Sequence, residues 1–358
     1  MPKPKTKILL NPKAHTQVTL SEYVTAIAWS PKDKSLAAAT ASGEVTMINT
    51  AIAPSNLQTL QAPTELAVNC LAFSADGRWL AAGGQGGKIQ VWDLGANPRA
   101  IAATIDVGNT WIEHIQWHPT RPEFAFGLGK YVQVWSAATL DIVTTLHFEQ
   151  STVLAIAWHP SGDYLTVGGD RGIKNWFCAD WYEDPIIFEF PTAAAKILWN
   201  SSGNYLVCST LDNLVVVLQW LGTDFDPSPW RMQGFPGKIR SFDWSTHPSP
   251  LLASASGADV VIWERHPDLN VGWEGEVIKG HNNMVGQVAF DSTSNYLASA
   301  DANGRVAIWH NNGEWLQALE TPMSEITALQ WQGRKLAAAN GDGDVMIWTE
   351  SSQGKGFR

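Results

Sequence analysis

The chain reads as an all-β repeat protein, and three observations predict it. Trp or Phe closes a short apolar run eight times, at Trp29, Phe73, Trp117, Trp158, Trp199, Trp244, Phe290 and Trp331, with separations of 44, 44, 41, 41, 45, 46 and 41 residues. A period of about 40–45 residues marks a radial or stacked repeat. A second apolar run follows each landmark, and a third ends in Trp at Trp92, Trp135, Trp176, Trp263, Trp309 and Trp348. Gly-rich turns separate the runs, which are short and evenly spaced as strands are.

The second copy shows each element in order. Val68–Phe73 is the first strand, and Ser-Ala-Asp-Gly after it is a turn with Gly where positive φ is needed. Trp79–Ala82 is the second strand, Gly-Gly-Gln-Gly-Gly a tight turn, Ile89–Trp92 the third strand and Ile101–Ile105 the fourth. Copies four, seven and eight repeat the pattern from Val153, Val285 and Ile326. Copy one has Ile48 in place of the third-strand Trp, and copy five, with Leu214–Leu218 there, is the weakest member. Runs such as Leu-Ala-Ala-Ala and Val-Val-Val-Leu do not alternate with polar residues, so both faces of these strands must be covered.

This pattern resembles the WD-repeat β-propeller family over about residues 17–350. The resemblance implies an eight-bladed β-propeller of four-stranded antiparallel blades. The Trp-Asp pair that names the family survives at Trp92-Asp93, and its Gly-His pair at Gly280-His281. Family members often tie His, Ser, Asp and Trp of one repeat into a hydrogen-bond network. Copy seven comes closest with His281, Ser299 and Trp309, but Asn303 stands where Asp is expected; Asp170 and Asp342 hold that position without the matching His. The expectation is therefore a ring held mainly by stacked apolar faces, with the third-strand tryptophans buried between blades, rather than by buried polar networks.

The chain ends bear on closure. Copy eight completes its third strand at Trp348 with ten residues left, whereas a blade needs a fourth strand and an unpaired edge is a liability. Gln17–Leu20 lies where fourth strands lie elsewhere, so the N-terminal strand is expected to complete the last blade, as WD-repeat rings commonly do. The domain reading is a basic mobile lead-in over 1–16 carrying Lys3, Lys5, Lys7 and Lys13, one propeller domain over 17–350, and a tail over 351–358.

Composition excludes some functions. The net charge of −10 argues against a nucleic-acid partner, which needs Lys and Arg against phosphate. No run approaches the roughly 20 apolar residues of a membrane helix, and Ile8–Leu10 is too short for a signal-peptide core. The expectation is a cytoplasmic protein with no membrane partner. Cys70, Cys178 and Cys208 have neither metal nor redox spacing and read as core thiols. No GxSxG, HExxH or strand-to-helix phosphate loop occurs, so no cofactor is expected. His118 and His159 in Trp-His-Pro turns, and His247 in a similar turn, read as turn chemistry. Glu113 and His114, placed in the first strand of copy three, together with Asp243 form the one arrangement resembling a propeller-enzyme metal site.

The candidate binding residues share one repeat position. Trp111 immediately precedes the first strand of copy three, and Tyr23, Lys238, Met284 and Glu325 hold the equivalent place in other copies. Just inside stand Glu113, Arg240 and Lys196. The resemblance places these loops at the rim of the central channel, on the face where partners dock. Aromatic and sulfur-bearing side chains among isolated charges suit a protein hot spot. Five further tryptophans, Trp181, Trp220, Trp230, Trp273 and Trp315, lie near the outer strands of copies four to seven, either covering their own blade edges or forming a second surface. The leading reading is a non-enzymatic scaffold for a protein or peptide partner on the channel face. A propeller enzyme with a metal near Glu113 and His114 is the rival from another class, and a carbohydrate-binding propeller, with Trp faces on sugar rings, is the third.

Overall fold

The computed structural model describes residues 10–51, 56–96, 100–148, 151–247, 249–268, 271–293 and 295–350. These form eight four-stranded antiparallel sheets. Seven sheets use four strands in chain order; blade one, for example, is Val24–Trp29, Ser35–Thr40, Val45–Asn49 and Asn56–Gln61. The eighth takes Ile326–Gln332, Lys335–Asn340 and Asp344–Thr349 from the C-terminal end and its outer strand, Thr16–Thr19, from the N-terminal end. That outer strand runs from Thr16 opposite Ile347 to Thr19 opposite Asp344. Closure by an N-terminal strand is thus as expected, one residue earlier than Gln17–Leu20.

The segment read as a lead-in is described from Leu10 onward, and there it is held. Leu10 is buried, its N–H donates to Gln317 Oε1 at 3.1 Å, and Gln317 Nε2 donates back to its carbonyl at 3.2 Å. The N–H groups of Asn11 and His15 donate to Thr349 O and Ile347 O. Residues 1–9 and 351–358, with the lead-in lysines before Leu10 and the tail, lie outside the described residues.

Contacts group the chain into two compact units. Ser21–Ile239 carries blades one to five, and the rest of the chain carries six to eight. Within each, the second and third strands are buried along nearly their whole length, as in Trp79–Gly84 and Val306–His310, whereas outer strands such as Asn56–Gln61 and Trp273–Ile278 are largely exposed. The sequence pattern follows from this: strands covered on both faces are apolar throughout, and edge strands alternate or turn polar.

One register recurs. Trp92 lies opposite Leu80, Trp135 opposite Phe124, Trp176 opposite Leu165, Trp309 opposite Leu297 and Trp348 opposite Leu336. Ile48 faces Leu36 and Leu218 faces Leu206 in the same way, so copies one and five keep the geometry with aliphatic residues. These tryptophans are at most 5% exposed. Trp263 departs from expectation in being half-buried, with Nε1 donating to Ser254 Oγ at 2.9 Å.

Polar links are present beside the stacked apolar faces. In blade seven, Trp309 Nε1 donates to Ser299 Oγ at 2.7 Å, Ser299 Oγ lies 2.7 Å from His281 Nε2, and His281 Nδ1 lies 2.8 Å from Asp301 Oδ2. The acid is Asp301, two residues before Asn303, and its other oxygen accepts the N–H groups of Asn303 and Arg305. Burial holds the His281 imidazole below its ordinary range even though Asp301 pulls it upward. Elsewhere, first-strand tryptophans reach back to the preceding blade: Trp117 Nε1 to Ala72 O and Trp158 Nε1 to Gln116 O, each at 2.8 Å, and Trp331 Nε1 to Ala289 O at 3.1 Å.

Candidate partner-binding face

The loops that precede each first strand are built by a repeated backbone pattern. The first residue of the strand is buried, as at Val24, Val285 and Ile326. The residue before it therefore turns outward, and its carbonyl accepts an N–H from the turn joining the second and third strands of the same blade. Ala41 N–H reaches Tyr23 O at 2.9 Å, Ala302 N–H reaches Met284 O at 2.9 Å, and Gly341 N–H reaches Glu325 O at 3.0 Å. Three candidates far apart in sequence thus occupy one structural position, as their repeat placement predicts.

In Ser21–Ile239 the loops are also stapled from blade to blade. The N–H groups of Thr64 and Glu65 both donate to Ser42 O, Gln85 N–H donates to Ala67 O, Val107 N–H to Gly87 O and Ile112 N–H to Gly84 O. The chain of bonds runs from the Tyr23 loop through the 41–43 turn, the Glu65–Leu66 loop and the 84–87 turn to the Trp111 loop. Two glycines permit the close approach. Gly43 has φ +90° and Gly87 φ +61°, and a Cβ on them would come within 2.6 Å of Leu66 O and 1.6 Å of Gly108 O. On this platform Tyr23 is 39% exposed, Leu66 50% and Trp111 56%. Leu66 is a member that sequence reading missed. The repeat position in copy two belongs to Ala67, and the exposure of the residue before it depends on how the 41–43 turn seats the loop.

Of the other candidates, Glu113, Lys196, Lys238, Arg240 and Glu325 are exposed and Met284 is half-buried. The register shifts by a β-bulge between Ala194 and Lys196, after which Lys196 pairs with Ser209. Tyr23, Trp111, Glu113, Lys196 and Lys238 belong to one unit and Arg240, Met284 and Glu325 to the other. Glu113 and His114 precede the first strand of blade three rather than lying in it, because that strand is only Ile115–Trp117. Ile112 N–H bonds to Gly84 O and its carbonyl receives Cys70 Sγ, so the chain leans on blade two until Ile115 pairs with Phe126.

No group of three His, Cys, Asp or Glu side chains that could hold a metal occurs among the described residues. Both oxygens of Asp243 accept backbone N–H groups, Oδ1 from Trp244 at 2.9 Å and Oδ2 from Phe290 at 2.7 Å; burial pushes this carboxyl up to about 7. His118 and His159 each place Nε2 on the turn carbonyl of the following blade, Gly162 O at 2.9 Å and Gly203 O at 3.1 Å. Burial, with Arg121 nearby, pushes His118 down to about 4. His247 is exposed and accepts Ser249 N–H. Burial pushes the thiols of Cys70 and Cys178 up to about 12 and raises Cys208 further, which leaves all three unreactive as thiolates.

The outer tryptophans mostly cover their own blades. Trp220 is 8% exposed and packs on Tyr164, Trp199 and Phe225; Trp273 is 9% exposed against Trp244. Trp181 packs on Trp158, Trp230 on Tyr205 and the more exposed Trp315 on Trp309. A separate groove of about 500 Å³ lies at the turns of blades two and three, lined by Asp76, Arg78, Trp79, Arg121, Pro122 and Leu140. No helix among the described residues is long and apolar enough to cross a membrane.

The family model "WD domain, G-beta repeat" matches residues 54–93, 140–176 and 273–310. Two Arabidopsis thaliana proteins, Protein transport protein SEC13 homolog A and homolog B, are 31% and 32% identical over 105 and 100 residues, 26% and 25% of this chain. The matched part spans about a third of those relatives' length (34% and 33%). Among solved structures, Saccharomyces cerevisiae Sqt1 superimposes with a TM-score of 0.80 over 95% of this chain and 99% of its own, at 15% identity. The Myceliophteria thermophila Cps50 (Swd1) beta-propeller domain does so with 0.65 over 96% and 100%, at 18% identity. Identities this low establish the fold alone. WD-repeat matches cover three stretches of the chain and solved propellers superimpose along nearly its whole length, so the fold is a β-propeller that contains WD repeats.

Proposed function

We propose that the protein is a non-enzymatic interaction scaffold that docks a protein or peptide partner on the face carrying the loops before the first strands. One observation carries this reading: Trp111 is 56% exposed on a loop fixed by backbone bonds to its neighbours. A large aromatic held in place gives up little conformational entropy on binding, and Trp is over-represented among interface anchors. Tyr23 and Leu66 extend the apolar area. Arg240, Met284 and Glu325 occupy the same kind of position in the other unit and are proposed as contacts there. The net charge of −10 favours a protein over a nucleic-acid partner. The SEC13 homologues that it resembles over part of their length are protein transport proteins, a setting in which a docking platform has an evident use.

Affinity capture with the tagged protein tests this reading. Tyr23→Ala combined with Trp111→Ala should remove the captured partners while leaving the melting temperature within a few degrees of the parent. Unchanged capture by the double variant would refute the face.

A further inference from the structure

We infer that the Tyr23–Leu66–Trp111 face takes a basic, extended peptide segment; this rests on the docking reading above and adds the chemistry of the partner. The apolar part is three exposed side chains on successive stapled loops. The charges beside them are mainly negative. Glu22 adjoins Tyr23, Glu65 adjoins Leu66, and Asp106 and Glu113 flank Trp111; all four are exposed. On these three loops and the two turns between them the one cation is Lys88, 4.0 Å from Asp106 with both side chains more than half exposed. An exposed pair at that distance contributes little, and although Lys196 is near enough to act on His114 beside Glu113, the four carboxylates outnumber the nearby cations and the face stays acidic.

The combination selects its occupant. A purely apolar segment would leave the four carboxylates without counter-charge, and an acidic one would be repelled. Lys or Arg side chains can lie over the Trp111 and Tyr23 rings, where the ring quadrupole attracts a cation. Their charged ends can meet the flanking carboxylates. Leu66 sits between the two aromatic loops and suits an aliphatic residue between the basic ones. An extended segment fits because the three anchors follow one another along consecutive blades instead of lining a closed pocket.

Fluorescence anisotropy with two labelled synthetic peptides tests this: an Arg-rich peptide with interspersed Leu, and its counterpart with Glu for every Arg. The basic peptide should bind and the acidic one should not, and binding should weaken as salt is raised from about 50 to about 200 mM because exposed charges are screened. Trp111→Ala should weaken binding about tenfold or more, in the range of interface anchors. Glu65→Lys with Glu113→Lys should do the same. Asp180→Lys with Asp184→Lys, in the turn after blade four's third strand, should leave it unchanged. Equal binding of both peptides would overturn the inference, as would a loss on the Asp180–Asp184 change equal to that on the Glu65–Glu113 change. Binding indifferent to Trp111 would also overturn it. If Tyr23→Ala with Trp111→Ala abolishes partner capture but the basic peptide does not bind, the charge assignment alone fails. If capture survives that change, the docking reading itself fails.

Discussion

Blade seven and blade five reach one backbone geometry by opposite chemistries. In blade seven a buried polar relay joins the turn to the third strand, through Asp301, His281 and Ser299 to Trp309. In blade five Leu218 stands where that Trp would be, and an aromatic cluster of Trp199, Trp220 and Phe225 fills the space instead, with Trp199 and Phe225 stacked 5.8 Å apart. Trp199 Nε1 finds Thr166 Oγ1 at 3.0 Å in place of the backbone carbonyl its counterparts use. The repeat therefore specifies register and volume, and individual residue types can change so long as both are kept.

Breaking each arrangement sharpens the contrast. His281→Ala should have the largest effect. It removes the hydrogen bonds to both Asp301 Oδ2 and Ser299 Oγ in a site where Asp301 is 1% exposed, and each buried group left unsatisfied costs about 1–3 kcal/mol, more where it is charged. A loss below that of Trp220→Ala, read by chemical denaturation, would show that the relay adds little. Trp220→Ala should come second, at about 3 kcal/mol, the lower end for large-to-small aromatic changes, because Tyr164 and Phe225 can close part of the cavity.

A smaller effect is expected from acid. His118 is neutral in the folded chain down to about 4, whereas the unfolded chain takes up the proton near 6.5. Its contribution is complete above the unfolded value and is lost as the pH falls from there towards 4. The stability difference between the parent and His118→Asn should shrink over that window, and an NMR titration of the His118 ring should give a midpoint near 4; a midpoint near 6.5 would contradict the burial argument. Tyr182→Ala should have the smallest effect, within about 0.5 kcal/mol, since Tyr182 is 99% exposed.

What was legible in the sequence follows the same division. Volume and period show directly: the eight landmarks mark the first strands, and the missing fourth strand of blade eight points to the N-terminal segment that fills it. Side-chain direction within turns does not show. Asn303 aligns with the expected acid, yet Asp301 makes the bond, because the turn aims residue 301 at His281. Glu113 and His114 read as strand residues because apolar spacing cannot reveal that Ile112 bonds to the preceding blade. Leu66 was invisible for a like reason: its exposure is set by a neighbouring turn. The outer tryptophans carried no signal of which would be covered, since Phe225 packs on Trp220 only once the intervening loop has folded back.

The claim that partners dock on the loops before the first strands is tested most directly by photo-crosslinking from within that face. A photoreactive phenylalanine analogue placed at position 111, and in a second protein at position 182, would be irradiated with the captured partner present. The account predicts a strong covalent adduct from position 111 and none above background from position 182, which is exposed but lies in a loop at the outer strand of blade four. Adducts from 182 without adducts from 111 would contradict it.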